Sequence, residues 1–115
     1  MKPNSGKAKG RRVVQELKEA ILFAFPHLQS DDIQMVPTSV GGEDLKLSPA
    51  ARKCWPFSTE CKCQEKLNVW AAFRQAEANS GGRLYNVVFR RNRTELYVAL
   101  RLGDFLKLLT EKNAK

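Results

Sequence analysis

The sequence predicts one small α/β domain in which helices flank a mixed central sheet, and three observations predict this class. Apolar residues recur at three- and four-residue spacing, typical of helices, in residues 11–25 and 65–79. Runs at 33–39, 43–47, 57–63, 84–89 and 95–100 are predicted strands, with alternating leucines in the second and a strongly β-prone sequence in the fourth. A helix separates the third run from the fourth, so we expect those two strands to be parallel, with a right-handed crossover.

The N-terminal third is predicted to hold a basic arm, a helix and the first strand. Residues 1–10 combine three lysines with proline, asparagine, serine and two glycines, which is typical of a flexible arm, so the folded domain is expected over 11–115. Pro26 ends the first helix. Ser30 and the two aspartates after it suit a short turn before the strand at 33–39.

Turns and caps divide the rest of the chain. Gly41 and Gly42 indicate a turn before the second strand, and residues 50–56 are predicted to form a basic loop. A Ser-Gly-Gly sequence ends the second helix, and an arginine-rich turn joins the last two strands into a hairpin. Asp104 is expected to cap a final helix over 105–112. The predicted order is therefore α-β-β-β-α-β-β-α.

Composition and charge restrict the classes of function. The 115 residues are 43% hydrophobic, which is ordinary for a globular domain and too apolar for general disorder. A net charge of +8 favours polyanionic partners such as DNA or RNA. The longest apolar run, residues 20–25, is too short to cross a bilayer, and no apolar segment follows the basic N-terminus as in a signal peptide. We therefore expect a cytoplasmic protein with no membrane partner.

The three cysteines are predicted to be reduced and to pack as small hydrophobic residues. Cys61 and Cys63 are separated by a single residue, whereas zinc-binding pairs usually have a gap of at least two. His27 is the only histidine and lies far from them in the sequence. A zinc site is therefore disfavoured, and so is a nuclease that uses histidine as its general base.

Glu60 and Lys62 are the strongest candidates for chemistry. Alternate residues of a strand point to the same face, so these side chains lie side by side if 57–63 is a strand, while the cysteines face the core. Asp44, on the preceding strand, can bring a second carboxylate to the same place. Two carboxylates suit Mg²⁺ or Mn²⁺, and a lysine beside them can orient a water or stabilise a phosphate. An ordinary Glu-Lys pair on a surface strand is the plainer alternative.

A longer pattern surrounds these residues, with Gly-Glu-Asp at 42–44, Leu-Ser-Pro-Ala-Ala-Arg at 47–52 and Pro-Phe-Ser-Thr-Glu-Cys-Lys at 56–62. Further matches follow at Glu65, Leu67, Asn68 and Trp70. With this block the chain resembles the PD-(D/E)xK nuclease superfamily, and more closely its small phage and prophage members described as Holliday junction resolvase-like. The similarity covers about residues 9–109. It implies a restriction-endonuclease-like core, metal-dependent hydrolysis of DNA, and a phage or prophage protein in a bacterial host.

The resemblance also assigns roles to individual residues. Asp44 matches the motif aspartate, and Glu60 and Lys62 match the E-x-K pair. Glu43 stands where the pattern usually has proline, and strand alternation allows only one of positions 43 and 44 to face the metal; Asp44 is preferred. Gln64, just after the E-x-K strand, is either a catalytic residue that reaches the scissile phosphate or the first residue of the next helix.

The first helix is expected to complete the metal site, because the family often has an acidic residue there. Gln15 occupies the aligned position, and Glu19 lies one turn further along the same edge of the helix. Glu16 points about 100° away from that edge. Gln15 and Glu19 are therefore ranked above Glu16 as metal ligands beside Asp44 and Glu60.

Basic side chains are expected to hold the DNA backbone around this site. They form three clusters, namely Lys9, Arg11 and Arg12, then Arg52 and Lys53, then Arg90, Arg91 and Arg93. Gln75 on the second helix is either a surface residue or a further backbone contact. Trp55 is a core residue or a wedge that stacks on a branch point. Trp70 and Phe73 belong to the core or to a subunit interface.

The leading functional prediction is an endonuclease that resolves four-way (Holliday) junctions. Its partner would be branched DNA rather than a small molecule, and two matched cuts favour a symmetric homodimer. The same residues would serve another nuclease of the superfamily, either an exonuclease or a nickase, and an RNA nuclease remains open. A different class of alternative is a basic nucleic-acid-binding module without catalytic activity.

Overall fold

Four helices and five strands form the part of the chain that the computed structural model describes, residues 5–37 and 42–113. The helices are α1 (Ser5–Ala24), α2 (Pro49–Cys54), α3 (Val69–Ala78) and α4 (Leu102–Asn113). The strands are β1 (Ile33–Met35), β2 (Leu45–Leu47), β3 (Ser58–Cys63), β4 (Tyr85–Arg90) and β5 (Tyr97–Ala99). A 3₁₀ turn, Ser30–Asp32, precedes β1. The predicted α/β class is confirmed.

The strands pair in two groups. In the first, β1 and β2 are antiparallel, with Ile33 opposite Leu47. In the second, β4 lies between β3, to which it is parallel, and β5, to which it is antiparallel. The predicted parallel pair and the predicted C-terminal hairpin are therefore confirmed, whereas the single central sheet is replaced by a two-stranded and a three-stranded ladder.

Helices cover both faces of the three-stranded sheet. On one face, Val13 and Leu17 of α1 pack with Cys61 of β3 and Val88 of β4. On the other face, α3 packs with alternate residues of β4, among them Val87. Because strand side chains alternate, Cys61 turns towards α1 while its neighbours on β3 turn towards α3. None of the described helices is both long and apolar enough to cross a membrane.

Helix α1 begins earlier than the sequence predicted. Residues 5–10, assigned to a flexible basic arm, are helical, and only residues 1–4 of that arm lie outside the described residues. Lysine and alanine at positions 7–9 are good helix formers, and each of the two glycines costs only about 1 kcal/mol relative to alanine. The folded domain therefore includes part of the predicted arm.

The prediction of a basic loop at 50–56 is wrong for most of that segment, because residues 50–54 belong to α2. Ser48 is the N-cap of this helix, and its Oγ accepts a hydrogen bond from Ala51 N at 3.1 Å. Pro49 takes the first helical position, where its missing N–H costs nothing. Asp104 likewise lies inside α4 rather than at its cap. The strand at 33–39 is shorter than predicted, and positions 38–39 lie outside the described residues.

The burial of Ile33 on β1 leads to a prediction about stability. The side chain of Ile33 is fully buried, so Ile33→Ala removes apolar contacts and leaves a cavity. We expect the free energy of unfolding to fall by about 2–5 kcal/mol. Phe23→Ala is the matched control, because Phe23 is 89% exposed and its loss should change stability by no more than about 0.5 kcal/mol. Urea unfolding followed by circular dichroism measures both, and equal effects would contradict the assigned core.

Candidate functional site

Asp44 lies where the β1–β2 pair meets β3. Its backbone N–H donates to Thr59 O at 3.0 Å, and its carbonyl accepts from Val36 N at 3.1 Å. Its carboxylate Oδ2 accepts from Cys61 N at 2.6 Å. Gly42, with a φ of 103°, permits the turn that leads into this position. These contacts place the Asp44 carboxylate against the backbone between the two residues of the E-x-K pair.

Glu60 and Lys62 point to the α3 side of β3, as strand alternation predicts. The Glu60 side chain is only 6% exposed, and its Oε2 lies 3.5 Å from Lys62 Nζ. Lys62 Nζ also donates to Gln75 Oε1 on α3 at 2.9 Å. The lysine is therefore held between a buried carboxylate and an amide, and its side chain remains partly exposed.

Burial perturbs both carboxylates, and the charge of Asp44 also perturbs Glu60. Burial raises the pKa of Asp44 above its ordinary value, although the Cys61 N–H and Lys62 oppose the change. Burial also raises the pKa of Glu60, and the negative charge of Asp44 raises it further, against the effect of Lys62. The same causes raise the pKa of the Cys61 thiol, which stays neutral. When Asp44, Glu60 and Lys62 are all ionised, the three side chains together carry a net charge of about −1 in a poorly solvated place.

This donor set fits a hard divalent cation. Mg²⁺ is commonly held by one or two carboxylates, with waters and substrate phosphate completing its shell. Asp44 and Glu60 supply two carboxylates whose repulsion such an ion would relieve. Within residues 5–37 and 42–113, no three histidine, cysteine, aspartate or glutamate side chains gather into a metal-binding group. Among the described residues, no further histidine, cysteine, aspartate or glutamate therefore joins Asp44 and Glu60 as a third ligand.

The ligands expected on α1 lie elsewhere. Gln15 Nε2 donates to Glu19 Oε2 at 2.9 Å on an exposed part of the helix. Since α1 packs on the face of the sheet opposite to Glu60, the structure does not bring Gln15 or Glu19 to the carboxylate pair. Glu16 is bound instead by Arg90, whose two terminal nitrogens lie 2.7 and 2.6 Å from its carboxylate oxygens.

Glu43, the alternative to Asp44, is bound by two arginines. Arg52 contacts both carboxylate oxygens of Glu43, at 3.1 and 3.2 Å, and Arg83 contacts one of them at 3.1 Å. Arg52 also donates to Phe57 O at 3.0 Å. Asp44 is therefore the acidic residue next to Glu60, and the charge of Arg52 is already matched by Glu43.

A basic pocket lies at the carboxyl ends of the parallel strands β3 and β4. A cavity of about 300 Å³ is lined by Lys9, Arg12, Cys63, Arg90, Asn92 and Arg93. Two of the three predicted basic clusters thus meet, although they lie at opposite ends of the chain. Arg93 has a φ of 66°, an uncommon backbone conformation for a residue other than glycine. Lys9, Arg12 and Arg93 form no ion pair within the described part of the chain.

The remaining predicted contacts are dispersed. Arg11 and Arg91 are exposed, next in sequence to pocket residues, and Lys53 is exposed on α2. Neither Lys53 nor Arg52 lines the basic pocket. Gln64 is exposed just after β3, where its N–H donates to Arg90 O at 3.1 Å and extends the parallel ladder.

Sequence reasoning missed two residues that support the site. Gln75 is exposed, which agrees with its surface alternative, but its hydrogen bond from Lys62 was not predicted. Asn86 is fully buried on β4, where it accepts from Thr59 Oγ1 at 2.8 Å, and Thr59 in turn accepts from Trp55 Nε1 at 2.9 Å. This chain of hydrogen bonds fixes the strand immediately before Glu60. An asparagine in the middle of the apolar run at 84–89 was the available signal, since buried amides need partners.

The raised pKa of Asp44 predicts a pH-dependent gain in stability for Asp44→Asn without divalent metal. An ionised Asp44 destabilises the fold at neutral pH, and this cost disappears as the pH falls through the raised folded pKa towards the unfolded value of about 3.9. The variant should therefore unfold at higher urea concentration than the wild type at pH 7, and the two should converge in acid. Urea titrations over a pH series measure the difference.

Glu43→Gln is the matched control for that measurement. Glu43 is paired with Arg52 and Arg83, so its loss should destabilise the protein by about 1 kcal/mol at pH 7. A destabilising effect of Asp44→Asn at neutral pH, similar to that of Glu43→Gln, would mean that Asp44 is an ordinary structural carboxylate.

No family model, curated protein or solved structure matches this chain. The nature of the site is therefore inferred from its own residues, chiefly Asp44, Glu60 and Lys62.

Proposed function

We propose that the protein is a divalent-metal-dependent DNA endonuclease that cuts branched DNA, with the four-way junction as its substrate. The observation that carries this proposal is the buried Glu60, which lies within electrostatic reach of Asp44 and 3.5 Å from Lys62. A buried carboxylate beside a half-buried one, both with raised pKa values, contributes nothing to a hydrophobic core, and such perturbed groups concentrate at functional sites. The resemblance to junction-resolving nucleases supports the same chemistry.

Asp44 and Glu60 would hold Mg²⁺ or Mn²⁺. The ion would supply a bound water of lowered pKa and would neutralise charge that develops on the phosphate. Asp44 Oδ2 is engaged by Cys61 N, so its other carboxylate oxygen is the one available as a ligand. Lys62, held by Gln75 and Glu60, would orient the attacking water or stabilise the phosphate oxygens.

The basic pocket supports nucleic acid as the substrate class. Lys9, Arg12 and Arg93, which form no ion pair within the described residues, lie on the α1 side of the sheet, opposite to Glu60 and Lys62. They would therefore bind phosphates of the DNA backbone other than the one that is cut, and the net charge of +8 strengthens that attraction. Backbone contacts carry no sequence information. Recognition of DNA shape, as at a four-way junction, fits these features.

A basic nucleic-acid-binding module without activity is the second candidate, and one observation favours it. The described residues provide a pair of carboxylates rather than a group of three metal-binding side chains. An exonuclease or a nickase would use the same residues as the junction endonuclease, so the DNA substrate alone separates those two from the main proposal.

Metal-dependent cleavage tests the proposed activity. We expect the protein to nick a synthetic four-way junction in the presence of Mg²⁺ or Mn²⁺ and to leave it uncut in EDTA. Glu60→Gln and Lys62→Ala should each lower the rate by at least about 100-fold, because Glu60 would hold the metal and Lys62 would stabilise the charge that develops on the phosphate. Asp31→Asn is the matched control, since Asp31 is exposed and lies outside the site. The assay compares initial rates on labelled junctions.

Each outcome of that assay has a defined meaning. Equal cutting of linear duplex and junction would contradict selectivity for branched DNA, and degradation from ends would indicate an exonuclease. Absence of cutting, together with unchanged Mn²⁺ binding in Asp44→Asn by calorimetry, would exclude the metal site and leave the binding module.

Salt dependence tests the basic pocket separately from catalysis. In EDTA, Arg12→Gln and Arg93→Gln should weaken junction binding, and each should reduce the slope of log affinity against log salt by about one. Lys46→Gln is the matched control, because Lys46 is exposed on β2 and does not line the pocket. Fluorescence anisotropy across a salt series gives the slopes. An equal change in all three variants would show that binding depends on net charge rather than on the pocket.

A further inference from the structure

Helix α4 exposes the side that a surface helix normally buries. Leu102, Phe105, Leu106 and Leu109 recur at the spacing of one helical face, and they are 69%, 46%, 49% and 42% exposed. The helix packs only marginally against the other helices and strands. A helix of 12 residues is marginal in water without such packing. Its apolar stripe therefore requires a covering surface.

An apolar groove continues this stripe onto α3. It is a cavity of about 440 Å³ whose apolar lining consists of Trp70, Phe73, Tyr85, Leu100 and Leu102. Trp70 is 75% exposed, so the prediction that it belongs to the core is wrong and its interface alternative remains. Tyr97 of β5, 54% exposed, lies on the same face of the sheet as the α3 residues, next to Phe89. Because Leu102 belongs to both the groove and the stripe, the two form one continuous face.

We propose that this face, formed by α3, β5 and α4, is the contact between two copies of the chain, with the α4 stripe of each copy covering the groove of the other. An interface across a twofold axis needs a surface that complements itself. This face presents both a protruding apolar helix and an apolar groove that such a helix can fill. The assignment rests on these exposed residues and is independent of the proposed nuclease activity.

The exposed apolar area of this face is close to the area that each partner buries in a stable dimer interface. The six exposed apolar side chains are Trp70, Tyr97, Leu102, Phe105, Leu106 and Leu109. At about 150–250 Å² for a large side chain, their exposed fractions amount to roughly 500–850 Å². Apolar patches on monomeric proteins rarely exceed a few hundred Å², whereas each partner in a standard interface buries about 800 Å² including its polar rim.

The charge of the face also favours a second copy. Along α3 and from position 101 to the end of α4, four basic residues stand against three acidic ones. They are Arg74, Arg101, Lys107 and Lys112 against Glu77, Asp104 and Glu111. The local balance is thus +1 on a chain of net charge +8. Two copies can meet here with little repulsion, whereas contact through the basic pocket would place like charges together.

Sedimentation equilibrium of the full chain tests the proposal. We expect the wild type to have twice the chain mass at micromolar concentrations, in EDTA and without DNA. Leu106→Glu should raise the dimer dissociation constant by about 100-fold or more, because it buries an unpaired charge. Leu109→Glu should act in the same way if the first variant folds poorly. Phe23→Glu is the matched control, because Phe23 is 89% exposed on α1 and lies outside this face. This variant should remain dimeric.

Trp70 supplies a second measurement. In a Trp55→Phe background, dilution of the dimer should shift tryptophan emission to the red as Trp70 becomes exposed. A wild type that stays monomeric at high micromolar concentration would overturn the proposal and mean that something else covers the face. Dissociation by Phe23→Glu rather than by Leu106→Glu would also overturn it. A dimer that cuts no DNA would leave this interface standing while the proposed activity fails.

Discussion

The hydrogen bonds of Asp44 are the constraint on which both the fold and the candidate site depend. Its backbone joins the β1–β2 pair to Thr59 on β3, and its side chain binds Cys61 N one residue beyond Glu60. The β1–β2 pair has only three residues in each strand, so its position relative to the three-stranded sheet rests heavily on this junction. Any displacement of β2 would therefore change the separation of the two carboxylates, which makes the geometry of the site a direct consequence of strand association.

The carboxylate pair is a destabilising element that the fold accommodates. Glu60 is paired in register with Val87 in a sheet covered on both faces, a place where parallel strands usually carry apolar residues. Its buried charge is only partly compensated, because among the described residues Lys62 is the cation that acts on both Glu60 and Asp44. Proteins tolerate such local cost where a ligand later repays it, since a cation that binds only the folded state stabilises it by mass action. The pair is thus easier to explain as a cation site than as a packing choice.

Strand periodicity predicted the central part of the site, and tertiary packing decided what it could not predict. The alternation around Cys61 placed Glu60 and Lys62 on one face, and the helix between β3 and β4 predicted their parallel pairing. By contrast, the ligand expected at Glu19 depends on which face of the sheet α1 covers, and a helical repeat does not specify that. Ser48 followed by proline suits both the end of a strand and the start of a helix, so α2 was missed. The contact from Lys62 to Gln75 joins residues 13 positions apart and has no local sequence signal.

Helix α3 connects the candidate active site to the proposed interface. Gln75 accepts the hydrogen bond that holds Lys62, while Trp70 and Phe73 on the same helix line the apolar groove. A helix of ten residues moves largely as a rigid unit, so a shift that seats the groove on a second copy would also move the Gln75 amide. Since Lys62 offsets the charge of both carboxylates, its position affects how far each charge is compensated as well as any role at the phosphate. Assembly and chemistry would then be coupled through one side chain, whereas the basic pocket, on the α1 side of the sheet, stays free to bind DNA in either state.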